Sequence, residues 1–394
     1  MNLSDFYQKY TSDCTAGCGN QLLTRLESPV TKTGRCWFRL SHGGQNYGLL
    51  FSNQVDSTYD DGSISKANDV GGDWTIEQIR VGLCASRGEE PAYWHRVTFD
   101  GAGKKQVRGK TPFVTDPIPL GATPGAYLCY EITLTGSCYP YHEEAVLTIV
   151  PDKQIPLPLM IGCDRKVSQK VGFLGDSITQ GCGTEEDSYT HWVAKIAEGL
   201  PENCSVWDLG IGYARAYDAA TDAGWLQRAK MCDTVHVCFG VNDILRGRTA
   251  EQVLEDLHAI VGKLKQANCR VILLTLPPFD LEGEQRIHWQ KVNATIRTSL
   301  RTEADGLFDI AAVLGQPAPK EHLCIYGGHP DAEGCQAVAE AYLNTPWSKP
   351  GGRFIGIPPD KCNWSRPLWR ILPPTGPACR IRQKSHPGVL PRPR

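Results

Sequence analysis

The chain has 394 residues, long enough for two domains that each bury a core. It carries 41 Lys and Arg against 43 Asp and Glu, so no net field argues for nucleic acid or a membrane surface as partner. No apolar run approaches a membrane span, and the opening MNLSDFYQKYTSD lacks a basic stretch followed by an apolar one; the expectation is a cytoplasmic protein.

Most of the 16 cysteines stand singly in apolar, strand-like surroundings, as Cys36, Cys84, Cys129 and Cys238 do, and read as small buried hydrophobes. Without an export signal they are expected to be reduced thiols. Cys14 and Cys18 form a close pair, but no second pair matches them, so a metal site there is weakly supported. No cofactor is called for.

In chain order, Leu3–Tyr10 reads as a short helix. From Gly34 to about Val150 short β-rich runs alternate with turn-rich segments, among them CWFRL, YGLLFSN, WTIEQIRVGLC and AYLCYEITLTG. No long amphipathic helix interrupts them. Residues 1–165 are therefore expected to be an antiparallel β-sandwich, jelly-roll-like. Trp74, Tyr93, Trp94, Tyr139 and Tyr141 on that module are candidates for stacking on sugar rings, with core or interdomain packing the favoured reading. His95 and His142 read as structural histidines.

Prolines 151, 156 and 158 mark a linker over residues 151–168. Beyond it strands and helices alternate. Strand Val171–Leu174 precedes helix Asp187–Gly199, and strand Ser205–Leu209 precedes helix Ala214–Lys230. Strand Thr234–Phe239 leads to helix Ala250–Ala267, and strand Arg270–Leu276 to helix Glu284–Thr302. A last strand near Leu307–Ile310 precedes helix Ala332–Leu343. Residues 166–347 are thus expected to be an α/β domain with a parallel sheet between helical layers. The Pro- and Arg-rich stretch 348–394 shows no periodicity and reads as a loosely attached tail.

The chemistry concentrates after the strands of the second domain. VGFLGDSITQGCGT places Ser177 just beyond a strand, in the crevice where open α/β sheets bind ligands. VWDLGIG places Gly210 at the next strand end, VHVCFGVND places Asn242 at the third, and GGHP places His329 before the final helix. A nucleophile, a base and hydrogen-bond donors are what ester hydrolysis requires. The bland readings are a helix cap for Asn242-Asp243 and a tight turn for Gly210. Asp176 is expected to brace the surrounding loops.

Serine, glycine, asparagine and histidine in this order resemble the SGNH (GDSL-type) hydrolases, over residues 168–346. The resemblance implies an SGNH-type α/β/α domain with Ser177 as nucleophile and His329 as general base. It places the backbone N–H groups of Ser177 and Gly210 and the Asn242 side-chain amide in an oxyanion hole. The β-module in front is similar to those of some two-domain esterases of the clan.

One position departs from the family pattern. An Asp usually stands three residues before the histidine, and here that residue is Tyr326. The only DxxH of this region, Asp233–His236, precedes Asn242 on an apolar strand and reads as a decoy. A Ser–His dyad is the leading mechanism, with Asp309, Glu321 and Asp331 as distant substitutes for the missing acid. The resemblance implies a serine esterase acting on short acyl, above all acetyl, esters of carbohydrates, with an acetylated oligosaccharide or another small acyl ester as partner. A lysophospholipase or thioesterase of the clan, or a catalytically weak carbohydrate-binding protein, are the alternatives.

Overall fold

The computed structural model describes residues 1–143, 146–315 and 328–348. The tail from residue 349, Glu321 and Tyr326 lie outside them.

Helix α1 (Leu3–Lys9) is capped by Asn2, whose side chain accepts from the Asp5 N–H, and it buries Phe6. Two antiparallel sheets follow. One runs in the order β1 (Thr11–Ser12), β8 (Met160–Cys163), β3 (Gly44–Phe51), β5 (Phe113–Val114), with β6 (Ile118–Ala122) also paired to β3. The other centres on β7 (Tyr127–Gly136), between β2 (Val30–Arg39) and β4 (Trp74–Cys84). Along β7 the side chains of Leu128, Tyr130, Ile132 and Leu134 are buried, while Glu131, Thr133 and Thr135 between them are half-buried. That period of two packs one sheet face inward, as the sequence predicts.

Of the aromatics expected on this module, Trp74 and Tyr139 are core residues. Trp94 lies under the Arg80 guanidinium, 4.2 Å from the ring centroid, and only Tyr93 is largely exposed, at 70%. Packing therefore accounts for most of the set.

The second half is a five-stranded parallel sheet in the order β10 (Cys204–Gly210), β9 (Gln169–Gly175), β11 (Thr234–Cys238), β12 (Arg270–Leu274), β13 (Gly306–Phe308). Its strands are buried almost throughout, the mark of a parallel sheet covered on both faces. The helices are α2 (Ser177–Gln180), α3 (Trp192–Gly199), α4 (Ala216–Ala219), α5 (Gly224–Ala229), α6 (Val241–Leu245), α7 (Ala250–Gln266), α8 (Gly283–Thr298), α9 (Ile310–Leu314) and α10 (Ala332–Leu343). Helices α7 and α10 match their predicted spans within a residue. Thr249 and Gln252 cap α7 reciprocally, and Asp331 caps α10 through the Gly334 N–H.

Three helices depart from the reading: α8 ends at Thr298 rather than Thr302, one starts late and one breaks. The span expected from Asp187 starts only at Trp192, because Asp187 and Tyr189 have left-handed φ values of 59° and 54°. The span expected over Ala214–Lys230 breaks into α4 and α5, with Asp222 left-handed at φ 59° between them.

The two halves share a core. Phe6, Tyr10, Leu50, Leu159 and Met160 of the sandwich half join Trp207, Leu209 and Ile178 in one buried cluster. The Trp207 indole N–H donates to the Leu159 carbonyl at 3.0 Å. A buried ion pair joins Arg228 of α5 to Asp56 of the sandwich at 2.7 Å. No helix among the described residues is long and apolar enough to cross a membrane.

Candidate active site

The site is built where β9, β10 and β11 end. Gly175, Gly210 and Cys238 are in register there, so the loops that leave them emerge side by side. Helix α2 begins at Ser177, two residues past the end of β9. Its N-cap is Asp176, whose Oδ1 accepts the Ile178 N–H at 3.0 Å. Burial, then the charge of Asp243, pushes the Asp176 carboxyl up to about 7. It is buried and caps α2.

Ser177 Oγ lies 2.8 Å from His329 Nε2, across 152 residues of sequence. Both side chains are half-buried, reachable from solvent yet partly desolvated. His329 is fixed by its surroundings. Gly328 before it has φ +77°, and a Cβ there would come within 2.5 Å of the Pro278 carbonyl oxygen, so glycine is required. Asp331, two residues after it, starts α10. The Phe279 ring meets the imidazole edge-on at 5.4 Å, and Gly183 packs against His329 Cβ from the other direction.

Asn242 lies inside α6, whose N-cap is Gly240, so the cap reading for Asn242 does not hold. Its side-chain amide nitrogen donates one hydrogen to the Ala214 carbonyl at 3.0 Å, which leaves the second for another acceptor. The Ser177 N–H, on the first turn of α2, has no acceptor among the described residues.

Gly210 is where the structure corrects the sequence reading. Its N–H donates to Asp208 Oδ1 at 2.8 Å and is committed there rather than turned to an oxyanion. The glycine has a packing reason instead: a Cβ would lie 2.2 Å from the Gln180 nitrogen and 2.6 Å from its Cα. Bare backbone at 210 lets α2 settle against the sheet. The wall beside Asn242 is the loop 211–214, which ends in the carbonyl that Asn242 holds.

The substitutes for a triad acid are largely accounted for. Asp309 receives two hydrogen bonds from Arg297 (2.7 and 2.8 Å) and one from the Thr275 hydroxyl, and it caps α9. Asp331 caps α10. The Asp233–His236 pair is structural: His236 lies buried on β11 with Nε2 2.8 Å from the Tyr342 hydroxyl, and burial pushes its imidazole down to about 3. Cys14 meets the Tyr189 hydroxyl at 3.9 Å, and burial holds the Cys18 thiol well above its ordinary range. No group of three or more His, Cys, Asp or Glu placed to hold a metal ion occurs among the described residues.

Sequence reasoning missed the sandwich half's part in this region. Gln21 donates to the Gly212 carbonyl at 3.0 Å, and the His142 and Gln180 side chains meet at 2.6 Å, so both abut the loop and helix that carry the site. Residues this far apart leave no periodic signal.

A serine and a histidine joined at the carboxyl edge of a parallel α/β/α sheet form a candidate site for nucleophilic chemistry. Residues 173–337 match the model of the GDSL-like lipase/acylhydrolase family, and the chain carries a domain of that kind. Among solved structures, one similar chain is LAE5, an alpha/beta hydrolase from the metagenome of Lake Arreo, Spain. It is 22% identical over 45% of this chain and 95% of its own, with a TM-score of 0.38. A member of the lipolytic G-D-S-L family from Veillonella parvula DSM 2008 is 19% identical over 44% of this chain and 96% of its own, with a TM-score of 0.39. Axe2, an acetylxylan esterase from Geobacillus stearothermophilus, is 22% identical over 45% and 94%, with a TM-score of 0.37. No curated protein matches the sequence.

Proposed function

We propose that the protein is a serine esterase that hydrolyses short acyl esters, acetyl before longer chains, with carbohydrate esters as the substrate class. The observation that carries this reading is the 2.8 Å contact between Ser177 Oγ and His329 Nε2 beside a half-free Asn242 amide. His329 takes the proton as Ser177 Oγ attacks the ester carbonyl, then delivers it to the departing alcohol. Water, activated by the same imidazole, releases the acid from the acyl-enzyme. The Ser177 N–H and the Asn242 amide face the developing oxyanion, with loop 211–214 in place of Gly210 completing its wall.

The short acyl preference is supported by the tight connections at the sheet edge. Only Asp176 separates β9 from α2, and two residues separate β11 from α6, so neither connection inserts a segment long enough to wall a tunnel.

The test is a chain-length series of p-nitrophenyl esters. Rates should fall from acetate to butyrate and further for long chains. Ser177→Ala should lose at least 1,000-fold in kcat, by analogy with roughly 10⁴-fold or greater losses for triad serines. An optimum at eight carbons or more, or labelling by an organophosphate at a residue other than Ser177, refutes the reading.

A further inference from the structure

A loop of the β-sandwich reaches the edge of the candidate site. Its base is pinned by the Asp56–Arg228 ion pair and, farther along, by the Asn68 amide donating to the Thr221 hydroxyl at 3.2 Å. Between these anchors Tyr59 leans on Tyr213, with ring centroids 4.7 Å apart and planes tilted by 57°. Tyr213 is the residue before Ala214, whose carbonyl holds the Asn242 amide. Its backbone is left-handed, φ +63°, a conformation that favours glycine or asparagine and costs a bulky side chain. It nevertheless presents its ring at 37% exposure.

Two groups hold that ring in place. Tyr59 supports it from the sandwich. Arg246, one helical turn beyond Asn242, lies 5.7 Å from the ring centroid and donates to the Thr58 carbonyl at 3.1 Å. A strained, exposed aromatic braced from two sides and one residue from the Asn242 contact is poor packing but a good platform.

Resting on the esterase reading above, we infer that Tyr213 and Tyr59 form an aromatic wedge receiving the alcohol half of the ester, a pyranose ring. The tilt between the rings keeps them from covering each other's faces, and the apolar face of a sugar ring lies against such a surface. The N-terminal sandwich is then a specificity element of the active site.

The experiment compares kcat/KM for the tetraacetate of methyl α-glucoside with that for methyl acetate, in the full chain. The wild type should prefer the glucoside ester. Tyr59→Ala and Tyr213→Ala should each lower the ratio of the two by about fivefold to tenfold, the scale of one aromatic contact, chiefly through KM. Tyr59→Phe, which keeps the ring, should restore the ratio to within about twofold, and Tyr59→Leu, which fills the space without a ring, should not. Tyr93→Ala, at an exposed bend of the sandwich, is the control and should leave the ratio as it was. A ratio that both alanine variants leave unchanged, or an equal loss on the two esters, overturns the wedge. A wild type that cleaves methyl acetate without preference also overturns it and leaves the esterase reading standing. A wild type that cleaves neither ester overturns the esterase reading itself.

Discussion

Arg228→Met tests whether the two halves are one cooperative structure. Arg228 and Asp56 meet at 2.7 Å with their side chains 5% and 1% exposed. Methionine keeps much of the aliphatic volume and removes the charge, leaving Asp56 with the Asn20 N–H at 2.9 Å. An exposed pair would contribute about 0–1 kcal/mol, but stripping one partner from a buried pair costs about 3–5 kcal/mol, because the other charge stays desolvated. With an unfolding entropy of roughly 2.1 cal/mol/K per residue over about 350 residues, that is a fall in Tm of about 4–7 °C. Calorimetry should show one transition, shifted down by that amount. Asp56→Asn combined with Arg228→Met removes the stranded charge and should recover at least about half of the loss. A cost below about 1 kcal/mol, or a separate early transition for the sandwich, refutes the reasoning.

Asn242→Ala should lower kcat for p-nitrophenyl acetate by about 100- to 1,000-fold with little change in KM, since its amide acts on charge that develops during the reaction; a loss under tenfold removes it from the oxyanion site. Asp176 has its native value raised to about 7 from 3.8, so its ionisation opposes folding, and the stability it contributes below about pH 4 is lost as pH rises through about 7. Asp176→Asn keeps a cap that does not titrate, so its denaturant stability relative to wild type should improve by about 2–4 kcal/mol from about pH 4 to about pH 8; a pH-independent difference contradicts the assignment. Asp309→Asn should destabilise the protein by about 1–3 kcal/mol through Arg297 while kcat stays within about tenfold, and Asp331→Asn should change both little; a thousandfold loss of kcat in either would identify a displaced triad acid.

Much of the hydrolase half was legible in the sequence, because its signals are local. The apolar run Val171–Leu174 ending in Gly-Asp-Ser marks a buried strand followed by a capped turn. The expected spans of α7 and α10 hold to within a residue, and the structure shows a side-chain cap at the start of each. The order Ser177, Gly210, Asn242, His329 located four of the segments that meet at the sheet edge, though not the loop that carries Phe279 against His329. Residue type and order did not say what each group does there. Gly210 looked like a donor, and only the packed structure shows its N–H spent on Asp208 and its missing Cβ making room for Gln180. The break between α4 and α5 was equally hidden, since left-handed backbone at Asp222 carries no compositional mark.

The partnership of the two halves was decided by tertiary structure alone. Arg228 and Asp56 are 172 residues apart, and Tyr59 and Tyr213 nearly as far. Periodicity and capping report what a residue does with neighbours three or four positions away. Contacts of this separation form only when the chain pays loop-closure entropy to bury a shared core, and nothing in the local pattern records which surfaces will meet.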